Sequence, residues 1–280
     1  MTHSTSRRGF LAWSASAIAA TAQSRRAPQI LLRNSWQSVN IGDVGHTPGA
    51  LDLLTTYFPE AEVTLWPGRL ELGARELLTG NYPRLKIAEG SLDKQNLPST
   101  PTLAKAWQDA DLYLSGSGSG FPASAHAVAF HKATGKRVGV FGVSLDPISG
   151  IGAGREPEGG TLLEIRAKAA ALPPTHLASD LRYIIDRAAF FFCRDTISRD
   201  YLQSQGVKTP ILEFGPDAQL GMQLRDDAKA LAYLKANALA EGKFLCVIPR
   251  LRYTPGAKKD DVKDAINART TAGDHASCAR

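Results

Sequence analysis

The chain has 280 residues, of which 43% are hydrophobic and 21% charged, with a formal net charge of +6. That balance is globular, and it holds neither a lysine block nor the interleaving of basic and aromatic residues that would suit a nucleic-acid-binding surface. Mild basicity agrees better with small anionic substrates or glycans. The three cysteines, Cys193, Cys246 and Cys278, are far apart and form no pair motif. Two of them lie in apolar runs, as buried thiols do, and nothing selects a disulfide.

The chain opens MTHSTSRRGFLAWSASAIAATAQ. Adjacent Arg7 and Arg8, then Gly9-Phe10-Leu11 and a run ending in Ala20-Thr21-Ala22, read as a twin-arginine export signal cleaved after Ala22. Serines and alanines leave the run too short and mild to span a bilayer, so no stable transmembrane segment is expected. The expectation is export to the periplasm or outside the cell through the twin-arginine machinery. Without Arg7 and Arg8 the charge falls by two, to about +4, and roughly 260 residues remain, enough for one large or two modest α/β domains.

Ile30 to Leu54 organises the rest of the chain. Ile30–Leu32 is a buried strand, Asn34–Pro48 a polar loop, and a helix is expected to start near Thr47 and Pro48, with Leu51, Leu54 and Phe58 at helical spacing. Further strands are expected at 61–68, 83–90, 112–114, 137–143, 190–193 and 211–214. Helices are expected at 70–78, 102–108, 123–131, 161–171, 180–188 and 198–205. Strand, loop and helix alternate, which predicts an α/β fold: a Rossmann-like, mostly parallel sheet with flanking helices and right-handed crossovers. This domain is expected over 28–219, a linker helix over 220–240, and the start of a second α/β domain, with a strand at 244–248, over 241–280. After Pro255 the apolar material is too little for a second sheet, so the second domain is expected to be incomplete.

Parallel strands would bring four loops to one edge, where amides and helix N-termini favour anions. The first carries Asn40, Gly42 and Asp43: amide donors, a glycine for close backbone approach and a carboxylate to orient a hydroxyl. His46 follows as an acid, base or anion contact, although a lone histidine is more often structural or merely exposed. The second, Ser115–Gly120, offers Ser117 and Gly118 to phosphate or sugar oxygens, and equally describes a flexible loop. The third, Gly142–Gly150, offers Ser144 and Asp146. In the fourth, Arg194 can fork onto a phosphate or carboxylate or simply pair with Asp195, while Asp195 or Ser198 caps the next helix. Asp217, after the next strand, is similarly poised. There is no dinucleotide fingerprint, phosphate-binding lysine loop or Gly-x-Ser-x-Gly elbow, which disfavours a dehydrogenase and a serine hydrolase. His46, His126, His131 and His176 lack the spacing of a metal site.

In that order, Asn40-Ile41-Gly42-Asp43, the serine-glycine loop before Phe121-Pro122, Gly142-Val143-Ser144, and Cys193-Arg194-Asp195-Thr196-Ile197-Ser198 followed by Gly215-Pro216-Asp217 resemble the motifs of the polysaccharide pyruvyl transferase family. The resemblance covers roughly 30–253. It implies the first domain of a two-domain, glycosyltransferase-B-like fold. It also implies transfer of a pyruvate ketal from phosphoenolpyruvate, a substrate and not a resident cofactor, to a sugar of a surface polysaccharide. By the same resemblance Arg194 contacts the donor phosphate or carboxylate, and Asn40, Gly42 and Asp43 shape the cleft floor. The family's arginine and histidine near the end of its second domain have no counterpart here, so catalysis is expected only with a complete second domain. Export also sets the chain apart from a cytoplasmic donor. The alternative is a noncatalytic exported glycan-binding domain.

Overall fold

The structure, a computed structural model, describes residues 26–145, 147 and 162–245. Residues 1–25, which hold the expected export signal, Asp146, and residues 246–248 of the expected strand at 244–248 lie outside the described residues. The chain divides into two compact units, one running to Gln223 and one from Leu224.

The first unit alternates strand and helix. In chain order it has β1 (Gln29–Asn34), α1 (Ile41–Tyr57), β2 (Glu62–Pro67), α2 (Ala74–Asn81), β3 (Lys86–Ile87), α3 (Pro101–Asp109), β4 (Leu112–Ser115), β5 (Gly118–Ser119) and α4 (Ser124–Thr134). It continues with β6 (Arg137–Ser144), α5 (Leu162–Ala170), α6 (Ser179–Ile185), β7 (Phe190–Cys193), α7 (Thr196–Ser204), β8 (Leu212–Phe214) and a 3-10 turn, Ala218–Gly221. All pairings are parallel, in the order β3-β2-β1-β4-β6-β7-β8, with β5 added on β6. The chain runs outward from β1 to β3, then resumes at β4 on the other side of β1. The sheet therefore reverses direction between β1 and β4, where an open α/β sheet leaves a crevice at its carboxyl edge.

Strand periodicity explains the two-sided core. In β1, Ile30 and Leu32 join one apolar cluster with Leu51, Leu54, Leu65 and Ala218, while Leu31 joins the other with Trp66, Tyr113, Phe130 and Phe191. Each fully buried leucine stabilises the fold by about 1.5–3 kcal/mol. Trp66, wholly buried, also satisfies its indole N–H on the Gly90 carbonyl at 2.8 Å.

Four sequence expectations need correction. Helix α1 begins at Ile41, not near Thr47, because the Asn40 side chain caps it by accepting from the Gly42 N–H at 3.0 Å. Thr47 instead bonds the Ser35 amide at 3.1 Å, and Pro48 lies inside the helix. The serine-glycine segment is not a flexible loop: Ser115 and Ser117 are fully buried and Gly118 belongs to a strand. The strand expected over 83–90 is only Lys86–Ile87. The linker helix expected over 220–240 resolves into the 3-10 turn, capped by Asp217, and a separate helix α8 (Asp227–Ala236), capped by Asp226.

The second unit is described as far as residue 245. Its helix α8 has no buried residue, and Leu231 and Tyr233 are exposed.

Candidate functional site

Two packing features assemble the carboxyl edge. The first is Gly49, in the middle of α1. An added Cβ there would lie 2.0 Å from the Ala218 carbonyl oxygen, so the missing side chain lets the 3-10 turn lie directly on the helix. The second is Gly142, at φ +72°, where the β6–β7 register is irregular between Val140 and Val143. A Cβ at Gly142 would meet Ser117 Oγ at 2.6 Å and the Pro216 carbonyl at 3.1 Å. The bulge thus gathers the ends of β4, β6 and β8 into one place.

Asp217 lies at their meeting point. One carboxylate oxygen, Oδ1, accepts from the Gln219 amide at 3.0 Å, capping the turn. The other, Oδ2, is shared by Arg194 Nη1 at 2.5 Å and His46 Nε2 at 3.1 Å. Burial pushes the Asp217 pKa up, but hydrogen bonds from His46, the Gln219 amide and Arg194 outweigh it and bring it to about 2. Arg194 also donates through Nε to Ser144 Oγ at 2.9 Å. On the far side of the imidazole, His46 Nδ1 is 3.8 Å from Asp43 Oδ1, and Gln37 Nε2 donates to Asp43 Oδ2 at 2.5 Å. The result is a line of close contacts, Asp43–His46–Asp217–Arg194, in which His46 Nδ1 has no hydrogen-bond partner among the described residues. His46 is nearly enclosed, with 5% of its side chain exposed, whereas Asp43 and Arg194 at the ends expose 21% and 25%. Asp217 exposes 19%, so Asp43, Asp217 and Arg194 are the groups able to touch a ligand, and the enclosed His46 lies between the two carboxylates.

The residues singled out in the sequence fall into two groups. Asp43, His46, Ser144, Arg194 and Asp217 converge in this chain of contacts. Ser117 joins them indirectly: its Oγ donates to the Phe141 carbonyl at 3.2 Å and accepts from the Ala218 amide at 2.9 Å, beside Asp217. Asn40 and Gly42 are occupied with each other in the α1 cap, and Gly118 is paired with Val143 in the sheet. Arg194 pairs with Asp217 and not with Asp195. Asp195 caps α7, accepting from the Ser198 amide at 2.7 Å.

Neither Asn34 nor Ser115 is among the residues singled out from the sequence. Asn34 closes β1 and Ser115 closes β4, both fully buried. Neither the Asn34 side-chain amide nor Ser115 Oγ has a hydrogen-bond partner among the described residues. Their position at the carboxyl ends of adjacent strands was the available signal. No group of three or more histidine, cysteine or acidic side chains able to hold a metal occurs among the described residues, and no helix there is long and apolar enough to cross a membrane.

A doubly wound parallel sheet with charged and polar groups gathered on its carboxyl edge defines a Rossmann-like domain. The profile of the polysaccharide pyruvyl transferase family matches residues 40–268, and the chain belongs to that family. No curated protein matches it. Among solved structures it is similar to a UGT transferase from Siraitia grosvenorii in complex with UDP, with 10% identity and a TM-score of 0.39. The match covers 74% of this chain and 54% of that one, so the chain spans about half the length of that solved relative.

Proposed function

We propose that the protein transfers pyruvate from phosphoenolpyruvate to a pair of hydroxyls on one sugar of a surface polysaccharide, forming a cyclic ketal. Family membership supports a pyruvyl-transferase-like function in general.

The reaction adds two alcohols across one enol phosphate. Protonation of the donor methylene makes a methyl group and leaves an electron-poor carbon, which the first sugar hydroxyl attacks. Phosphate then leaves, and the second hydroxyl closes the ring. One hydroxyl proton balances the proton delivered to carbon, and the other departs with phosphate. The chemistry needs a cation for the anionic donor, a proton donor for its methylene carbon and a base for the acceptor hydroxyl.

The observation that carries the reading is the chain Asp43–His46–Asp217–Arg194. Arg194 keeps guanidinium hydrogens beyond those given to Ser144 and Asp217, and these are suited to a donor carboxylate or phosphate. Asp43, at the other end, is suited to accept a proton from an acceptor hydroxyl. His46 and Asp217 are positioning residues in this scheme.

The test incubates the full chain with phosphoenolpyruvate and a saccharide bearing a free hydroxyl pair. It follows phosphate release and a mass gain of one pyruvate less one water. Transfer that falls at least about a hundredfold in Asp43→Asn while Asp43→Glu retains part of it supports the proposal. Saturable saccharide binding with no turnover would assign the chain to noncatalytic glycan binding instead.

A further inference from the structure

Two neighbouring connections at the carboxyl edge hold aliphatic side chains out in solvent. After β1 the chain runs through Ser35–Asn40 into α1, and after β2 it runs through Gly68–Gly73 into α2. Hydrogen bonds lace the two together. The Asn34 and Ser35 carbonyls accept from the Gly68 and Arg69 amides at 2.9 and 2.7 Å, and Ser38 Oγ accepts from the Glu71 amide at 3.0 Å. A Cβ on Gly68 would lie 2.6 Å from the Ser35 carbonyl oxygen, so this close approach depends on the glycine. Val39 follows Ser38 and Leu72 follows Glu71, so the Ser38–Glu71 bond sets the segments that carry them next to each other, and Ile41 opens α1 two residues beyond Val39.

Val39, Leu72 and Ile41 are 82%, 80% and 78% exposed. Leu70 packs against the cluster that holds Leu32 and Leu65, whereas Leu72 sits at φ +54°, a left-handed conformation that leucine rarely adopts. A leucine held out in water at some backbone cost points to a use outside the domain.

The composition of this ridge selects its occupant. Its tips are aliphatic, whereas protein–protein hot spots favour tryptophan, tyrosine and arginine over leucine and valine. The three side chains offer roughly 400 Å², about half of the ~800 Å² that each partner of a stable complex contributes. That is small for a second copy of the chain and sufficient for hydrocarbon, into which leucine, isoleucine and valine transfer favourably. Arg69 is exposed, has no side-chain partner among the described residues, and lines a groove of about 220 Å³ with Val44, Leu77 and Leu78. Its stem can lie on apolar surface while its guanidinium meets a lipid phosphate. The exposed Glu71 alongside balances its charge, so apolar burial and not attraction to anionic lipid drives the contact.

We propose that Val39, Ile41 and Leu72 form a membrane-contact ridge that rests on a lipid bilayer, with the three tips entering the boundary between headgroups and acyl chains. The inference rests on these two connections and not on the transferase reading.

The test floats the full chain with phosphatidylcholine vesicles at low and at high salt. The expected result is a bound fraction that rises saturably with lipid and changes by less than about twofold with salt. Val39→Ser, Ile41→Ser and Leu72→Asn should each weaken partitioning by about tenfold. Asparagine tolerates the left-handed backbone at position 72, so that variant tests the side chain and not the turn. Leu163→Ser, which alters a 77% exposed leucine on α5, should bind within about twofold of the parent. The proposal is overturned if the parent does not float, if the tip variants float as the parent does, if Leu163→Ser loses as much as they do, or if high salt abolishes binding. A parent that sediments as a dimer, beside a triple tip variant that sediments as a monomer, would assign the ridge to a second copy of the chain and overturn it as well. Pyruvyl transfer, present or absent, leaves these readouts unchanged, so the two proposals fail separately.

Discussion

Gly49 and Ala218 are in backbone contact: a methyl group built on Gly49 would sit 2.0 Å from the Ala218 carbonyl oxygen. That approach sets Asp217 under His46, because Asp217 immediately precedes Ala218 and His46 lies one turn before Gly49 on the same helix. Gly49→Ala therefore has to push the 3-10 turn away from α1. The expected cost is about 2–3 kcal/mol, read as a lower midpoint in urea unfolding. A Gly80→Ala control, where an added Cβ meets nothing within 4 Å, should leave the midpoint unchanged or slightly raised.

Cys193 ends β7 with no exposed surface. Burial pushes its thiol up to about 12, and the Asp195 and Asp200 carboxylates push the same way. At pH 8 the thiolate is then roughly a thousandfold scarcer than in an unperturbed cysteine. Alkylation of Cys193 by iodoacetamide, followed by peptide mass mapping, should be negligible in the folded protein and complete in 6 M guanidinium. Labelling at native rates comparable to a free thiol would show that β7 is not a closed interior strand.

The parallel fold was legible because strands such as Phe190–Cys193 and Arg137–Ser144 are apolar runs between turn residues, and that signal is local. The α1 start was not, because two caps competed in one stretch. Asn40 and Thr47 both have N-cap chemistry, and only tertiary packing of Ser35 on Thr47 decides between them. Likewise, Arg194 with Asp195 reads as a neighbouring ion pair. The partner that takes the guanidinium, Asp217, is 23 residues away and reaches it through the β7–β8 pairing. The surroundings of Arg33 were not legible, since Trp36, Trp66 and His126 come from the β1–α1 connection, β2 and α4.

His126 gives the fold a pH dependence in the weakly acidic range. Burial and the adjacent Arg33 charge push its folded pKa down to about 4, below the ordinary histidine value of 6.5, so between these values the unfolded chain binds a proton that the folded chain excludes. The contribution is fully present above pH 6.5 and is lost as pH falls toward 4. Urea midpoints measured from pH 7 to pH 4.5 should decline, and the decline should flatten in His126→Phe, which cannot take up the proton. Because the imidazole is only partly enclosed, solvent screening reduces the size of the effect. An unchanged slope in the variant would place the acid sensitivity elsewhere.

Asp217 governs a second, more acidic window. Its folded pKa of about 2 lies below the ordinary aspartate value of 3.8, so the stability it contributes is present above 3.8 and disappears as pH falls through about 2. Asp217→Asn removes the charge that both Arg194 and His46 approach, and the two are left to face each other across a neutral amide. The expected loss is about 1–2 kcal/mol at pH 7, kept moderate by the partial exposure of Arg194. The same variant should lose the extra acid sensitivity between pH 4 and 2, and the His46 ring resonances should move in NMR spectra once the carboxylate neighbour is gone. Asp226→Asn serves as the contrast, since that carboxylate caps the exposed helix α8. If the two variants shift the unfolding midpoint equally, the shared oxygen of Asp217 is not what holds Arg194 and His46 together.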